Sequence, residues 1–207
     1  MLNRIRKSIQ PVTDGIALRF ASSGLSPNTL TLMGFLAAAV AGIMYALYEY
    51  VDNSSYLYAG IILLISGFFD IVDGSLARVT NRVSKMGAFL DSTFDRVSEA
   101  VLFIGIMASG VVHPLLVVTA LTLSFLVSYT RARGESIGIN LQGIGIGERA
   151  ERLLVLALFS IIAGIIDIQL VQYGIIIVAL LAGVTFIHRL ISIFSAVDRH
   201  SSSPPQP

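Results

Sequence analysis

Apolar residues dominate six long stretches of the chain, at about 29–50, 56–79, 83–109, 112–134, 149–168 and 170–195, separated by short polar segments. Each stretch is close to the roughly 20 residues that carry a helix across a bilayer, so six membrane-spanning helices are predicted. Before them, apolar residues recur at Leu2, Ile5, Ile9, Val12 and Ile16 with Arg4, Arg6 and Lys7 between. That pattern predicts a helix lying in the membrane interface, either to wall a site or simply to anchor the chain, with a break or bend at Pro11. Ser26 followed by Pro27 is a helix start, the serine as N-cap and the proline in the first turn. The closing SSSPPQP is polar and Pro-rich and is expected to be disordered. The predicted organisation is a juxtamembrane segment at 1–25, one all-α bundle of six spans at 26–197, and a tail at 198–207. No repeat or soluble domain is visible.

Composition agrees with this pattern. The 207 residues are 55% hydrophobic and 13% charged, with a mean hydropathy of +0.80, which excludes an ordinary soluble domain. The first twenty residues carry Arg4, Arg6, Lys7, Asp14 and Arg19 and lack a continuous apolar core, so a cleavable signal peptide is not expected. Net charge is only +1, yet all 14 Lys and Arg lie before the first stretch, near the second turn, between the fourth and fifth stretches, or at the end of the sixth. The loops at 52–55, 111–113 and 166–172 have none. By the positive-inside rule a multi-pass protein of the cell membrane follows, with both termini and the charged turns facing the cytoplasm. Zero cysteines exclude disulfides and thiolate metal sites.

Against this background FFDIVDGSLARVTNRVSKMGAFLDSTFDRVSE, residues 68–99, is anomalous. Asp70 and Asp73 are three apart and Asp91 and Asp95 four apart, so each pair shares a helix face. The turn between the two helices centres near Arg82; Asp73 and Asp91 each lie nine residues from it, and Asp70 and Asp95 twelve and thirteen. In a helical hairpin all four carboxylates reach one depth, roughly 10–15 Å from the turn. Unpaired, four such acids would cost on the order of 10 kcal/mol to insert. Arg78 and Arg96 are too few to balance them. Hard divalent cations held by oxygen alone, such as Mg²⁺, Mn²⁺ or Ca²⁺ and two in number, balance four negative charges and can grip a phosphate between them. The alternatives are helix-end salt bridges, or a divalent-cation transport path; against the latter, the acids cluster on one side and no inverted repeat is apparent.

The stretch contains D70xxD73G74xxA77R78, eight residues, then G87xxxD91xxxD95, which resembles the signature of the CDP-alcohol phosphotransferase family at every specified position. The resemblance implies a six-span membrane enzyme of phospholipid biosynthesis, a homodimer with no nucleic-acid partner. It would move a substituted phosphate from a CDP-linked lipid to an alcohol and release CMP. It implies metal binding by Asp70, Asp73, Asp91 and Asp95, with Asp95 also the candidate base for the acceptor hydroxyl. The CDP-lipid site would comprise Asp73, Gly74, Ala77, Arg78 and Gly87, together with Asn28 and Thr31 at a PNxxT-like entry. Close helix packing is an equal alternative for Gly74, Ala77 and Gly87, an ion pair for Arg78, and capping or packing for Asn28 and Thr31.

A second basic stretch, SYTRARGESIGINLQGIGIGERAERLLVL at 128–157, places Arg131, Arg133, Arg149 and Arg152 between the fourth and fifth spans, with Arg189 near the end of the sixth. Ordinary positive-inside residues paired with Glu135, Glu148 and Glu151 would explain them. Together with a hydroxyl from Ser128 they would also suit the phosphate of a second substrate. SYxRARxE followed by GxxERxER resembles the inositol-phosphate branch of the family, the phosphatidylinositol-phosphate and archaetidylinositol-phosphate synthases. The donor implied is CDP-diacylglycerol or CDP-archaeol and the acceptor myo-inositol 1-phosphate. Glycerol 3-phosphate is the alternative acceptor.

Overall fold

The computed structural model describes residues 2–141 and 143–201 and is helical throughout, without strands among the described residues. The helices are α1 (Leu2–Ser22), α2 (Pro27–Ala46), the single turn α3 (Tyr48–Val51), α4 (Ser54–Val79), α5 (Lys85–Ala108), α6 (Pro114–Ser136), α7 (Arg149–Ile165) and α8 (Val171–Ser201). A 3₁₀ turn at Ile168–Leu170 precedes α8. Pro11 lies inside α1 without ending it. The helix continues because Ala17, fully buried, packs with Leu30, Val72 and Leu76, which outweighs the one lost backbone bond. Ser26 accepts from the Thr29 amide and Pro27 opens α2, as the sequence predicts. α8 reaches Ser201, so the first four residues of the expected tail are helical, and 202–207 lie outside the described residues.

Among the described residues, four helical segments are long and apolar enough to cross a membrane: Pro27–Ala46, Ser54–Val79, Pro114–Ser136 and Ile168–Val197. α5 and α7 do not qualify by that measure. α5 carries Lys85, Asp91, Asp95, Arg96 and Glu99 in its N-terminal part, and α7 has only 17 residues. The chain is nonetheless an integral membrane protein: large apolar side chains face outward on many helices, among them Leu36, Ile65, Ile104 and Ile187, where lipid rather than water is their natural solvent.

The helices close a ring. α2 packs against both α4 and α5, α4 against α7, α7 against α8, α8 against α6, and α6 touches α5 lightly. α4 and α5, the two arms of the expected hairpin, are therefore not packed closely against each other. They leave a common turn and diverge, with α2 wedged between them. Small residues permit the wedge. The Ser66 hydroxyl donates to the Gly34 carbonyl at 2.8 Å, and a Cβ on Gly42 would come within 2.8 Å of Val101 while one on Gly105 would collide with the Gly42 backbone. At the end remote from the turn, buried tyrosines tie the ring together through Tyr45–Ser160 and Tyr56–Ser109 hydroxyl bonds of 2.7 and 2.6 Å. The acidic end is consequently the open one.

Overpacking at such contacts costs roughly 1–3 kcal/mol. Gly105→Leu is expected to lower Tm by roughly 4–10 °C in detergent-solubilised thermal unfolding, whereas Gly67→Ala, where an added Cβ meets nothing within 4 Å, leaves Tm unchanged or slightly raised.

Candidate active site

The α4–α5 turn occupies residues 80–84 and is locally determined. The Arg82 amide donates to the Ala77 carbonyl at 2.9 Å, Asn81 takes φ 54°, and the Ser84 side chain caps α5 by accepting from the Gly87 amide. Beside this turn lies a cavity of about 240 Å³ walled by α2, α4 and α5. All seven residues expected to hold the CDP-lipid line it: Asn28, Thr31, Asp73, Gly74, Ala77, Arg78 and Gly87. Its glycines differ from the packing glycines above. A Cβ on Gly74 would meet only the Arg78 guanidinium, at 3.4 Å, and one on Gly87 only the Ser84 and Asn28 side chains, at 3.1 and 3.4 Å. Of the two explanations that the sequence leaves open for Gly74 and Gly87, room in a cavity therefore fits better than helix contact.

Arg78 is held in this wall. Its Nη2 donates to Ser75 Oγ at 2.8 Å, and Ser75 donates onward to Thr13 Oγ1 of α1 at 3.2 Å. α1 thus reaches the cavity's arginine through one serine.

Among the described residues one group of carboxylates converges closely enough to hold a metal ion. Asp70 of α4 and Asp91 and Asp95 of α5 each place one oxygen within 4.8 Å of the others. Asp73 stands outside that group. It is buried, and its Oδ2 accepts the Thr31 hydroxyl at 2.6 Å. Arg149 Nη1, from the start of α7, sits where two of the carboxylates converge, 2.8 Å from Asp70 Oδ2 and 2.7 Å from Asp95 Oδ1. A positive group thus already stands in a cage of hard oxygens without nitrogen or sulfur ligands. That donor set suits Mg²⁺ or Mn²⁺.

A second cavity, of about 440 Å³, opens on the other side between α5, α6, α7 and α8. Ser128, Arg131, Arg149, Arg152 and Arg189 line it, as do Asp91 and Asp95. Arg133 does not. Its Nη1 reaches back to Ser136 Oγ at 3.4 Å on the exposed side of α6, because two residues of helix turn it about 200° away from Arg131. The arginines that line the cavity are unequally committed. Arg131 pairs through Nε with Glu135, at 2.9 Å. Arg189 donates to the Ile144 and Val127 carbonyls, leaving Nη2 3.7 Å from Glu148. Arg152 gives both terminal nitrogens away, to the Gly147 carbonyl and to Glu99. Glu99 was not among the residues expected at the site. Its signal in the sequence is its position four after Asp95, which continues the acidic face of α5.

The two cavities share a wall, formed by Ala88 and Asp91. Asp73 opens only on the smaller cavity, Asp95 only on the larger, and Asp91 on both.

Comparison with known proteins agrees with the signature. Residues 25–191 match the sequence model of the CDP-alcohol phosphatidyltransferase family. The chain is 41% identical to archaetidylinositol phosphate synthase of Pyrococcus horikoshii over 192 residues, 92% of this chain and 95% of that one. Its fold is shared with phosphatidylinositol phosphate synthase of Mycobacterium tuberculosis. The structure of that protein with CDP-DAG bound aligns at TM-score 0.76 and 24% identity, over 89% of this chain and 94% of that one. Its complex with manganese and citrate aligns at TM-score 0.75 and 23% identity, over 88% and 89%. A family match across four-fifths of the sequence, a relative alike from end to end and an aspartate signature folded into one site lead to one conclusion: the chain belongs to the CDP-alcohol phosphatidyltransferase family.

Proposed function

We propose that the chain transfers an archaetidyl or phosphatidyl group from a CDP-linked lipid to myo-inositol 1-phosphate, giving the lipid phosphoinositol phosphate and CMP. The observation that carries this reading is the shared wall at Asp91, with a glycine-floored cavity on one side and an arginine-lined one on the other. Two substrates that must meet at one phosphorus need that arrangement. The relative that is 41% identical is named for such a product, and the arginine lining suits a phosphorylated acceptor better than a neutral or zwitterionic alcohol.

In this reading Arg78 and the backbone around Gly74 and Gly87 receive the cytidine diphosphate, with Asn28 and Thr31 at its edge. Arg131, Arg149, Arg189 and Ser128 grip the acceptor phosphate, and Arg152 backs them. The acceptor hydroxyl oxygen forms a bond to the lipid-side phosphorus, the bond from that phosphorus to the bridging oxygen breaks, and CMP leaves with the electron pair. Asp95 takes the hydroxyl proton, being the aspartate that opens on the larger cavity alone. Two divalent ions, Mg²⁺ or Mn²⁺, held by Asp70, Asp91 and Asp95 with Asp73 beside them, would supply charge stabilisation on the phosphates.

We infer a six-crossing topology in which α5 and α7 cross alongside the four long apolar segments, residues 26–197 forming one unit. The confinement of Lys and Arg to one side supports cytoplasmic termini and a site facing the cytoplasm. The segment 1–25 then lies along that face.

Purified chain with Mg²⁺ or Mn²⁺ and CDP-archaeol or CDP-diacylglycerol should release CMP with inositol 1-phosphate and not with free inositol. Release with glycerol 3-phosphate alone would replace the acceptor. No release with any alcohol would favour a metal-binding or transport role. Asp91→Asn is expected to lower kcat at least about 100-fold. Gly74→Leu should raise KM for the CDP-lipid about tenfold or more at unchanged Tm, because the added side chain enters the cavity rather than a helix contact.

A further inference from the structure

α5 and α7 are not neighbours in the ring, and they share next to no close backbone approach among the described residues. Two rungs of charge join them across the interior. Asp95 meets Arg149 at 2.7 Å. One turn deeper, Glu99 Oε1 meets Arg152 Nη2 at 2.8 Å, both side chains only 1% exposed. The first rung is part of the site described above, but the reaction makes no direct use of the second.

As a stabilising device the second rung is poor. Taking two charges out of water costs several kcal/mol per ion, and well-packed apolar residues often replace such pairs without loss. This pair is also incompletely met: Glu99 Oε2 and Arg152 Nε are buried without a hydrogen-bond partner among the described residues. Its placement suggests another use. Arg152 Nη1 donates to the Gly147 carbonyl at 2.8 Å, and the Gly147 amide donates to Thr185 Oγ1 of α8 at 2.8 Å. Gly147 is seated so closely on α8 that a Cβ would stand 2.6 Å from the Leu181 carbonyl. Two residues later Arg149 leaves the first turn of α7 for Asp70 and Asp95. The run from Glu99 through Arg152 to Gly147 therefore ties α5 to the segment that launches Arg149.

We propose that Glu99 is a positioning residue for the larger cavity: through Arg152 it fixes the Gly147–Arg149 segment, so that the arginines there meet a phosphorylated acceptor. Arg152 is a strut in this account, both its terminal nitrogens being committed, while Arg131, Arg149 and Arg189 face the acceptor. The proposal rests on the assignment of the larger cavity to that substrate.

The test compares Glu99→Gln, Glu99→Asp and the double variant Glu99→Leu with Arg152→Met in the full chain. Each is read by Tm and by separate KM values for CDP-lipid and for whichever phosphorylated alcohol the wild type uses. Glu99→Gln should raise the acceptor KM about tenfold or more and leave the CDP-lipid KM within about twofold, with partial recovery in Glu99→Asp. The double variant should melt at or above the wild type and still show the raised acceptor KM. An unchanged acceptor KM in the folded double variant, an equal rise in both KM values, or a double variant that does not fold would each overturn the role of Glu99. A wild-type chain that uses no phosphorylated alcohol removes the acceptor assignment and this inference together, and is thereby distinguished from failure of the inference alone.

Discussion

Carboxylates at one end of an apolar helix bundle have to be met by positive charge, and that requirement organises the rest of this molecule. Asp70, Asp91 and Asp95 converge to within 4.8 Å, a concentration of charge that water cannot solvate fully and that hydrocarbon cannot solvate at all. Arg149 answers part of it from a third helix, and the donor set answers the rest by its fitness for hard divalent ions. Everything that positions those oxygens follows: the α4–α5 turn that sets their depth, α2 that holds the two helices apart, and the α7 start that brings Arg149 in.

The spacing that α2 imposes also makes the site useful. Were α4 and α5 packed as a close hairpin, the acids would face each other with no room for substrate. Because small residues such as Gly34, Gly42 and Gly105 let α2 sit deep between them, the two helices stand apart beyond their common turn. A cavity forms on each side of Asp91. The tyrosine–serine bonds at the opposite end complement this, closing the ring away from the carboxylates.

Much of this was legible in the sequence, for identifiable reasons. The register of the aspartates follows from helix periodicity and a turn with few possible centres, and Arg82 lies in the observed turn. The residues of the smaller cavity were readable because their pattern is local, falling on two consecutive helices and the start of a third. Tertiary matters were less legible. Nothing in the spacing of Asp70 and Asp95 says that α2 separates their helices. Nor does the linear order show that Arg133 turns away from the cavity while Arg149 turns to the carboxylates. Arg152 read as a ligand because its neighbours do, and only packing reveals that Glu99 and Gly147 have claimed it. Of the break or bend expected at Pro11, the break does not occur, since the burial of Ala17 carries the helix past it.

The central claim is that these aspartates form one divalent-metal centre. Electron paramagnetic resonance of the purified chain during Mn²⁺ titration tests it most directly. The account predicts saturable binding of two ions per chain with a spin-coupled signal, lost when Asp70 and Asp95 are both changed to Asn. Mn²⁺ binding no tighter than to the detergent alone, or binding that survives those substitutions, would contradict it.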